Sequence, residues 1–251
     1  MSVAISAASE KGKRPYQEDS FVVHETPEGW LLAVFDGHGG GEASERCVTI
    51  VSEVFDTVRK TVLVANLENI IREVFHVLNT EVEDFIAGTT ASLVFIPENG
   101  KEAVVGILGD SPVFIQKRDG NLWLSPEHNV RTNDDERHAV QERGGFVSGD
   151  GYLFAFNSRC GLQLSRALGD REFSKVLNRE PEIFRIPLSD DSFVLVASDG
   201  LFDPSHASCP SREIGKEIGD GADAAALVER AVKKPTHDNA TAILVQFSKD
   251  L

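Results

Sequence analysis

The stretch LLAVFDGHGGGEAS, residues 31–44, joins an apolar strand directly to an acid, a histidine and a run of glycines. The apolar residues predict a buried strand that ends at Asp36. A turn needs one or two glycines, whereas here Gly37 and His38 are followed by three more. An aspartate and a histidine held between glycines at a strand end indicate a functional site as well as a turn.

Apolar periodicity on both sides of this stretch predicts further strands and helices. Residues 42–62 and 66–86 carry apolar side chains at helical spacing, and Asn66 can cap the second helix. Turn signals at 97–100 and 117–120 predict antiparallel hairpins. The predicted strands are 3–6, 20–25, 30–36, 89–96, 102–110, 112–118, 193–199 and 240–247, and the shorter predicted helices are 133–143, 211–218 and 222–233.

The order of these elements predicts the fold class. Strand clusters with helix pairs between them are typical of an α+β protein whose antiparallel sheets are covered by helices. Long alternation of single strands and helices, which a parallel sheet requires, is absent from the sequence. The sequence also contains no repeat, linker or low-complexity tract, so we expect one domain over residues 1–251.

Composition and charge exclude several classes of protein. The chain has 251 residues, 41% of them hydrophobic, and a formal net charge of −15 from 40 acids and 25 bases. An acidic surface binds nucleic-acid backbones poorly, and no apolar run approaches the ~20 residues of a membrane span. We therefore expect neither nucleic acid nor a membrane as a partner, and we take the monomer as the default state.

The N-terminus and the cysteines indicate an intracellular protein, cytoplasmic or nuclear. Residues 1–15 lack the basic-then-apolar order of a secretory signal. Cys47, Cys160 and Cys209 are odd in number and too far apart for a CxxC metal site. This usage is typical of a reducing compartment.

Carboxylates recur at the ends of the predicted strands. Most of them stand beside glycine or another small residue, and each abuts an apolar strand. Taken singly, each is also explained as a turn or capping residue. Strand ends share the rim of a sheet, however, so these acids can converge although they are distant in sequence. They are Glu18, Asp19, Asp36, Asp110, Asp199 and Asp238.

Converging carboxylates would need cations. Two of them about 4 Å apart repel by on the order of 4 kcal/mol at an effective dielectric constant of about 20. Such a cluster must therefore protonate or bind positive ions. Oxygen ligands without cysteine or clustered histidine select Mg²⁺ or Mn²⁺ over zinc.

The motifs around these acids resemble those of the metal-dependent protein serine/threonine phosphatases of type 2C. Each motif is weak alone, but together they follow the order and spacing of the family nearly from end to end. They are RPYQEDS (14–20), VFDGHGG (34–40), GTTAS (88–92), GDS (109–111), ERHAVQERGGFV (136–147), LSRALGD (164–170), EP (180–181), VASDGLFD (196–203) and DNATAILV (238–245). The resemblance implies two packed antiparallel β-sheets flanked by helices, an α-β-β-α sandwich. It also implies hydrolysis of phosphoserine and phosphothreonine in proteins.

The resemblance further implies a centre of two Mg²⁺ or Mn²⁺ ions that activates a water molecule. Asp36 would bridge both ions. Asp199 and Asp238 would complete one ion site, and Glu18 with the backbone carbonyl of Gly37 would serve the other.

Other residues take supporting roles in this resemblance. Asp19 would orient the water held by the ions, and Asp110 with Asp199 would form a weaker third metal site. Arg14 stands where the family has its phosphate-binding arginine. His38 stands where the family has the general acid that protonates the leaving oxygen.

Three residues leave parts of this prediction open. Pro112 follows Ser111 where the family usually carries arginine, and because proline lacks an N–H and fixes φ, the third metal site stays open. His128 falls where the family has a histidine near the active site, but a structural role explains it equally well. Arg166, within LSRALGD, is expected to hold loops through ion pairs.

Two other functions use the same features. A catalytically inactive pseudophosphatase would use the fold as a binding or scaffold module, but it should have lost metal carboxylates that this sequence retains. A metal-dependent nuclease would use similar ions, and the net charge of −15 disfavours it.

Overall fold

The computed structural model describes residues 2–61, 66–117, 119–156, 158, 160–189, 192–202, 211–233 and 238–248. Val62, Arg118, Asp203 and Cys209, which belong to predictions made above, lie outside the described residues. Within these ranges, no helix combines the length with the apolar character that a bilayer crossing requires.

Most helices and strands lie where the apolar patterns predict them. The strands are β1 (Ser2–Glu10), β2 (Ser20–Thr26), β3 (Gly29–Phe35), β4 (Gly37–His38), β5 (Gly88–Thr89), β6 (Ala91–Pro97), β7 (Glu102–Leu108), β8 (Val113–Gln116), β9 (Leu122–Leu124), β10 (Phe146–Val147), β11 (Leu153–Phe154), β12 (Leu168–Gly169), β13 (Glu182–Pro187), β14 (Phe193–Ala197) and β15 (Ala240–Ser248). The α-helices are α1 (Glu42–Thr61), α2 (Leu67–Val82), α3 (Asp134–Glu142), α4 (Ser211–Gly219) and α5 (Ala224–Lys233). As predicted, Asn66 caps α2, and its side chain accepts a hydrogen bond from the N–H of Glu68 at 3.0 Å.

Two antiparallel sheets pack face to face. Within the described residues, the first sheet has the strand order β1-β15-β14-β8-β9 and the second has the order β13-β7-β6-β3-β2. Strand β3 is apolar throughout because both of its faces are buried. Leu32 and Val34 face the first sheet, while Leu31 and Phe35 face α1 and α2. Helices α4 and α5 cover the outer face of the first sheet. The structure therefore confirms the α-β-β-α sandwich.

The two predicted hairpins are confirmed, and each hairpin belongs to a different sheet. Strands β6 and β7 pair on the two sides of the predicted turn at 97–100, and β8 and β9 pair on the two sides of the predicted turn at 117–120. Strands β7 and β8 do not pair, because they belong to different sheets. The chain therefore crosses between the sheets at 109–112, and Asp110 lies in this crossing.

A small third sheet lies beside the sandwich and is built from two-residue strands. Its order is β12-β5-β4, with His38 opposite Gly88 and Gly169 opposite the same glycine. Strand β4 begins directly after Asp36, and Asp170 directly follows β12. This sheet therefore sets the positions of the residues around the DGH motif.

Candidate active site

A cleft of about 150 Å³ opens where strands of both sheets begin or end. Asp36 follows β3 and Asp110 lies just past β7, whereas Asp199 lies just past β14 and Asp238 precedes β15. The residues that line this acidic cleft are Arg14, Asp36, Gly37, His38, Thr90, Asp110, Leu162, Gln163, Leu164, Asp199 and Asp238. The structure thus brings four acids from distant parts of the sequence to one place.

The carboxylates in and behind the acidic cleft repel one another. Desolvation is the main cause that raises the pKa of Asp36 and of Asp199 well above its ordinary value, and the charges of neighbouring acids add to it. Desolvation also raises the pKa of Asp19 to about 6. Without added cations, the protein therefore favours protonation of these groups.

Glu18 and Gly37 are joined through their backbones. The N–H of Gly37 donates to the carbonyl of Glu18 at 3.2 Å, and the hydroxyl of Ser44 donates to the same oxygen at 2.5 Å. A Cβ on Gly37 would lie 2.5 Å from that carbonyl, so the site requires glycine. The Glu18 carboxylate accepts the N–H of Gly40 at 2.8 Å, and Glu18 is not among the residues that line the cleft.

Asp19 lies behind the cleft, 7% exposed. Its Oδ2 accepts hydrogen bonds from the hydroxyls of Ser198 and Thr241, each at 2.7 Å. Ser198 directly precedes Asp199, and Thr241 lies at the start of β15, three residues after Asp238. Asp19 therefore links the start of the chain to the ends of β14 and β15.

Arg14 lies at the mouth of the cleft, where its side chain is 44% exposed. Its Nη2 donates to Oδ2 of Asp238 at 2.8 Å. The residue that the resemblance assigns to phosphate binding thus contacts a residue assigned to metal binding.

His38 contacts an acid that the sequence did not single out. Its Nε2 lies 2.9 Å from Oδ1 and 2.8 Å from Oδ2 of Asp170. Burial lowers the pKa of His38, but the charge and hydrogen bond of Asp170, with smaller effects of Asp110 and Glu18, outweigh it, so that the net pKa is raised.

The crossing segment that carries Asp110 is held by residues 128 and 129. Asn129 Nδ2 donates to Oδ2 of Asp110 at 2.8 Å. The N–H of Gly109 donates to Nδ1 of His128 at 3.1 Å, and the N–H of His128 donates to the carbonyl of Gly109 at 3.0 Å. Asp110 lines the cleft although Pro112 follows two residues later. The carbonyl of Pro112 accepts a hydrogen bond from the N–H of Ala197 at 3.0 Å.

A second cluster of ionisable residues, the Arg166 network, consists of His128, Glu136, Arg166 and Glu182. Among the described residues, the ligand atoms of His128, Glu136 and Glu182 lie within 4.8 Å of one another, as a metal site would require. Arg166 already contacts both glutamates there, which confirms the ion pairs expected of it. Because Nδ1 of His128 accepts an N–H, the proton of the neutral ring is on Nε2, which then cannot bind a metal. Burial, then the charge of Arg166, lowers the pKa of His128 to about 4. His128 is therefore structural.

Several contacts of the cleft gave no local signal in the sequence. Asp170 lies inside the LSRALGD motif, but its contact with His38 spans 132 residues. Asn239 joins the start of the chain to the cleft, since its amide donates to the carbonyls of Lys11 and Tyr16 and accepts the N–H of Glu18. Only the motifs themselves could have indicated these residues.

Comparisons with known proteins agree with this geometry. A family model described as Protein phosphatase 2C matches residues 17–240. The chain is 31% identical over 256 residues to the probable protein phosphatase 2C 62 of Oryza sativa subsp. japonica, and the match covers 94% of this chain and 84% of that protein.

Solved structures show the same fold. The structure of a C. elegans sex determining protein superimposes with a TM-score of 0.82 at 26% identity and covers 98% of this chain and 65% of that one. The catalytic domain of the serine/threonine protein phosphatase PstP, in complex with two manganese ions, gives a TM-score of 0.64 at 23% identity and covers 98% of this chain and 99% of that one. At that identity, the likeness to PstP is one of fold.

Proposed function

We propose a function for the acidic cleft from the premise that this chain belongs to the protein phosphatase 2C family. The chain is a serine/threonine protein phosphatase, as its motifs predicted. The reaction proposed for the cleft is the attack of water on phosphoserine and phosphothreonine esters of protein substrates. The observation that carries this proposal is the convergence of four aspartates in one cleft.

The donor set of the cleft fits divalent cations. Its neighbouring carboxylates repel, which adds to the raised pKa values of Asp36 and Asp199, and bound cations would remove that repulsion. Carboxylate and carbonyl oxygens are the ligands that Mg²⁺ and Mn²⁺ prefer. The two manganese ions of PstP support a count of two for this chain.

Each ion has a proposed set of ligands. Asp36 would hold both ions, Asp199 and Asp238 would complete one site, and Glu18 with the carbonyl of Gly37 would complete the other. The close backbone contact between Glu18 and Gly37 supports their pairing. Bound ions would lower the pKa of the attacking water and offset charge on the phosphoryl oxygens.

Residues around the ions would direct the substrate and the protons. Arg14, at the mouth, can bind two phosphoryl oxygens with its planar guanidinium. Asp19 would orient the water from behind the cleft. His38 would donate a proton to the leaving oxygen, a contribution of roughly 10²–10⁴ in rate. Asp110 with Asp199 would hold a weaker third ion, with Asp110 oriented by Asn129.

Phosphate release from a phosphothreonine peptide tests this proposal. We expect release with Mn²⁺, loss of release with EDTA, and recovery with excess Mn²⁺. Asp199→Asn should lower kcat by about 10³-fold, since about 4 kcal/mol of charge stabilisation is lost. The matched control is Asp220→Asn, at an exposed position beyond α4, which should retain full activity. Activity that persists in EDTA would overturn the proposal, and a metal-loaded but inactive wild type would identify a pseudophosphatase.

We also propose that residues 1–251 act as one catalytic domain in an intracellular monomer, cytoplasmic or nuclear. Pairing of β1 with β15 and of β13 with β7 supports this, because each sheet joins distant parts of the chain. Cys47 and Cys160 are free thiols, as expected of a reducing compartment. The net charge of −15 supports protein rather than nucleic acid as the partner.

A further inference from the structure

We propose that Asp170 is a positioning residue that orients His38 for proton donation, an inference that rests on the proposed function. Both carboxylate oxygens of Asp170 lie within hydrogen-bond distance of Nε2 of His38, at 2.9 and 2.8 Å. The Asp170 residue is 5% exposed, whereas His38 lines the acidic cleft. Asp170 therefore contacts the imidazole from the protein side and leaves the cleft side of the ring to the substrate.

The small third sheet builds this contact. Strand β4 carries His38 and pairs with β5, and β12, which leads into Asp170, pairs with β5 from its other side. Gly88 of β5 lies between the two side chains. An ideal Cβ on Gly88 would lie 2.1 Å from Oδ2 of Asp170 and 2.4 Å from Nε2 of His38. The absence of a side chain at this position is thus what lets the two groups meet.

The backbone of Asp170 is held in an uncommon conformation. Its φ of 50° and ψ of 54° lie in the left-handed region, and among the described non-glycine residues it is the one with a positive φ. The N–H of Asp170 donates to the carbonyl of Ala87 at 3.2 Å, and Arg179 donates to the carbonyl of Gly169 at 2.5 Å. Conformations of this kind persist where the surroundings fix them, often at functional sites.

The contact with Asp170 indicates a separate role for each ring nitrogen of His38. In the protonated imidazole, Nε2–H is directed to the Asp170 carboxylate, so Nδ1–H is the proton available to the substrate. As the oxygen of water bonds to phosphorus and gives up one proton to solvent, the bond from phosphorus to the serine or threonine oxygen breaks, and that oxygen takes the proton from Nδ1. His38 is then neutral with Nε2–H still bound to Asp170, and solvent returns the proton.

A comparison of leaving groups tests this role. A phosphothreonine peptide needs a proton on its leaving oxygen, whereas 4-nitrophenyl phosphate releases a stable phenolate without one. With Mn²⁺, we expect Asp170→Asn to lower kcat on the peptide by about 10- to 100-fold and on 4-nitrophenyl phosphate by less than about 3-fold. His38→Gln should show the same selectivity with a larger loss. The double variant should be no worse than His38→Gln, because Asp170 acts through His38.

Asn suits this test because it keeps the size of Asp and tolerates the left-handed region. Asp220→Asn is the matched control and should leave both activities unchanged. Equal losses on both substrates, no loss, or additive losses in the double variant would overturn the inference. If His38→Gln itself loses both activities equally, the general-acid role and this inference both fail. A wild type inactive on both substrates would instead overturn the proposed function on which the inference rests.

Discussion

The acidic cleft and the Arg166 network both bring carboxylates close together, but they differ in the source of positive charge. In the network, Arg166 contacts both Glu136 and Glu182. In the cleft, Asp36 and Asp199 lie among further acids, and the guanidinium of Arg14 contacts a neighbouring acid at the mouth. Within the described residues, the network thus receives its counter-charge from Arg166, whereas the four aspartates that line the cleft outnumber the one arginine in its lining.

The pKa values record this difference. Burial would raise the pKa of Glu136, but hydrogen bonds from Arg166 and Ser165 and the charge of Arg166 outweigh it, so the net pKa is lowered. For Asp36, desolvation and neighbouring acids act together and raise the pKa. A cluster of carboxylates that an arginine of the chain neutralises is structural. A cluster whose carboxylates repel one another is suited to binding external cations. Four predictions test this contrast, beginning with the largest effect.

Asp36→Asn should remove activity without destabilising the metal-free protein. We expect kcat on a phosphothreonine peptide to fall by about 10³-fold or more, because an acid proposed to hold both ions is lost. The free energy of unfolding without metal, measured in urea, should stay equal or rise, since one repelling charge is gone. A variant that is both inactive and markedly less stable would place Asp36 in the same class as Glu136 and end the contrast.

Arg166→Met should destabilise the protein by about 3 kcal/mol, because it leaves two glutamates without their counter-charge. The matched control is Arg185→Met. Arg185 also contacts two glutamates, but its side chain is 41% exposed against 14% for Arg166. Urea unfolding should show a loss below about 1 kcal/mol for the control. Equal losses for the two variants would show that burial does not distinguish them.

Mn²⁺ should stabilise the wild type through the cleft alone. At a concentration of 100 times Kd, we expect a gain of about 2.7 kcal/mol in the free energy of unfolding. Glu136→Gln should retain this gain even if its baseline stability is lower, and Asp36→Asn should lose most of it. Thermal denaturation with and without EDTA measures both. A gain that depends on Glu136 rather than on Asp36 would reverse the assignment of the two groups.

The metal-free protein should lose stability as the pH rises through the acidic range. Folding raises the pKa of Asp19 from 3.8 to about 6 and that of Asp36 and Asp199 in the same direction. The folded state therefore binds more protons than the unfolded state, and the free energy of unfolding should fall by on the order of 2 kcal/mol between about pH 4 and pH 6.

Urea unfolding in EDTA at several pH values measures this slope, and Asp36→Asn should flatten it. With saturating Mn²⁺ the slope should reverse, because the ions bind the deprotonated carboxylates. A free energy of unfolding that rises with pH in the metal-free wild type would contradict the repulsion inferred for the cleft.

The layers of the fold could be predicted from sequence because their signals are local. Periodic apolar residues marked α1 and α2, and continuous apolar runs marked strands buried on both faces, such as β3. Two features had no local signal. Strand β13 is a half-exposed edge strand whose sequence ends in Pro187, and its register is set by β7. The division of β7 and β8 between sheets depends on packing that a hairpin pattern does not encode.

The acids of the cleft could be predicted as a set for a similar reason: each stands at the end of an apolar strand. The residues that orient them could not. Asp170 reaches His38 across 132 residues, and Asn129 reaches Asp110 from the segment after β9. These contacts exist only because separate strands place them side by side. The sequence likewise left two roles open for His128, and its hydrogen bond with Gly109 decides for the structural one.

Anomalous diffraction from crystals soaked in Mn²⁺ tests the central contrast most directly. We expect two strong peaks in the acidic cleft, one beside Asp199 and Asp238 and one beside Glu18 and Gly37, with Asp36 next to both. We expect no peak beside Arg166. A peak within the Arg166 network, or a cleft without manganese at saturating concentration, would contradict this contrast.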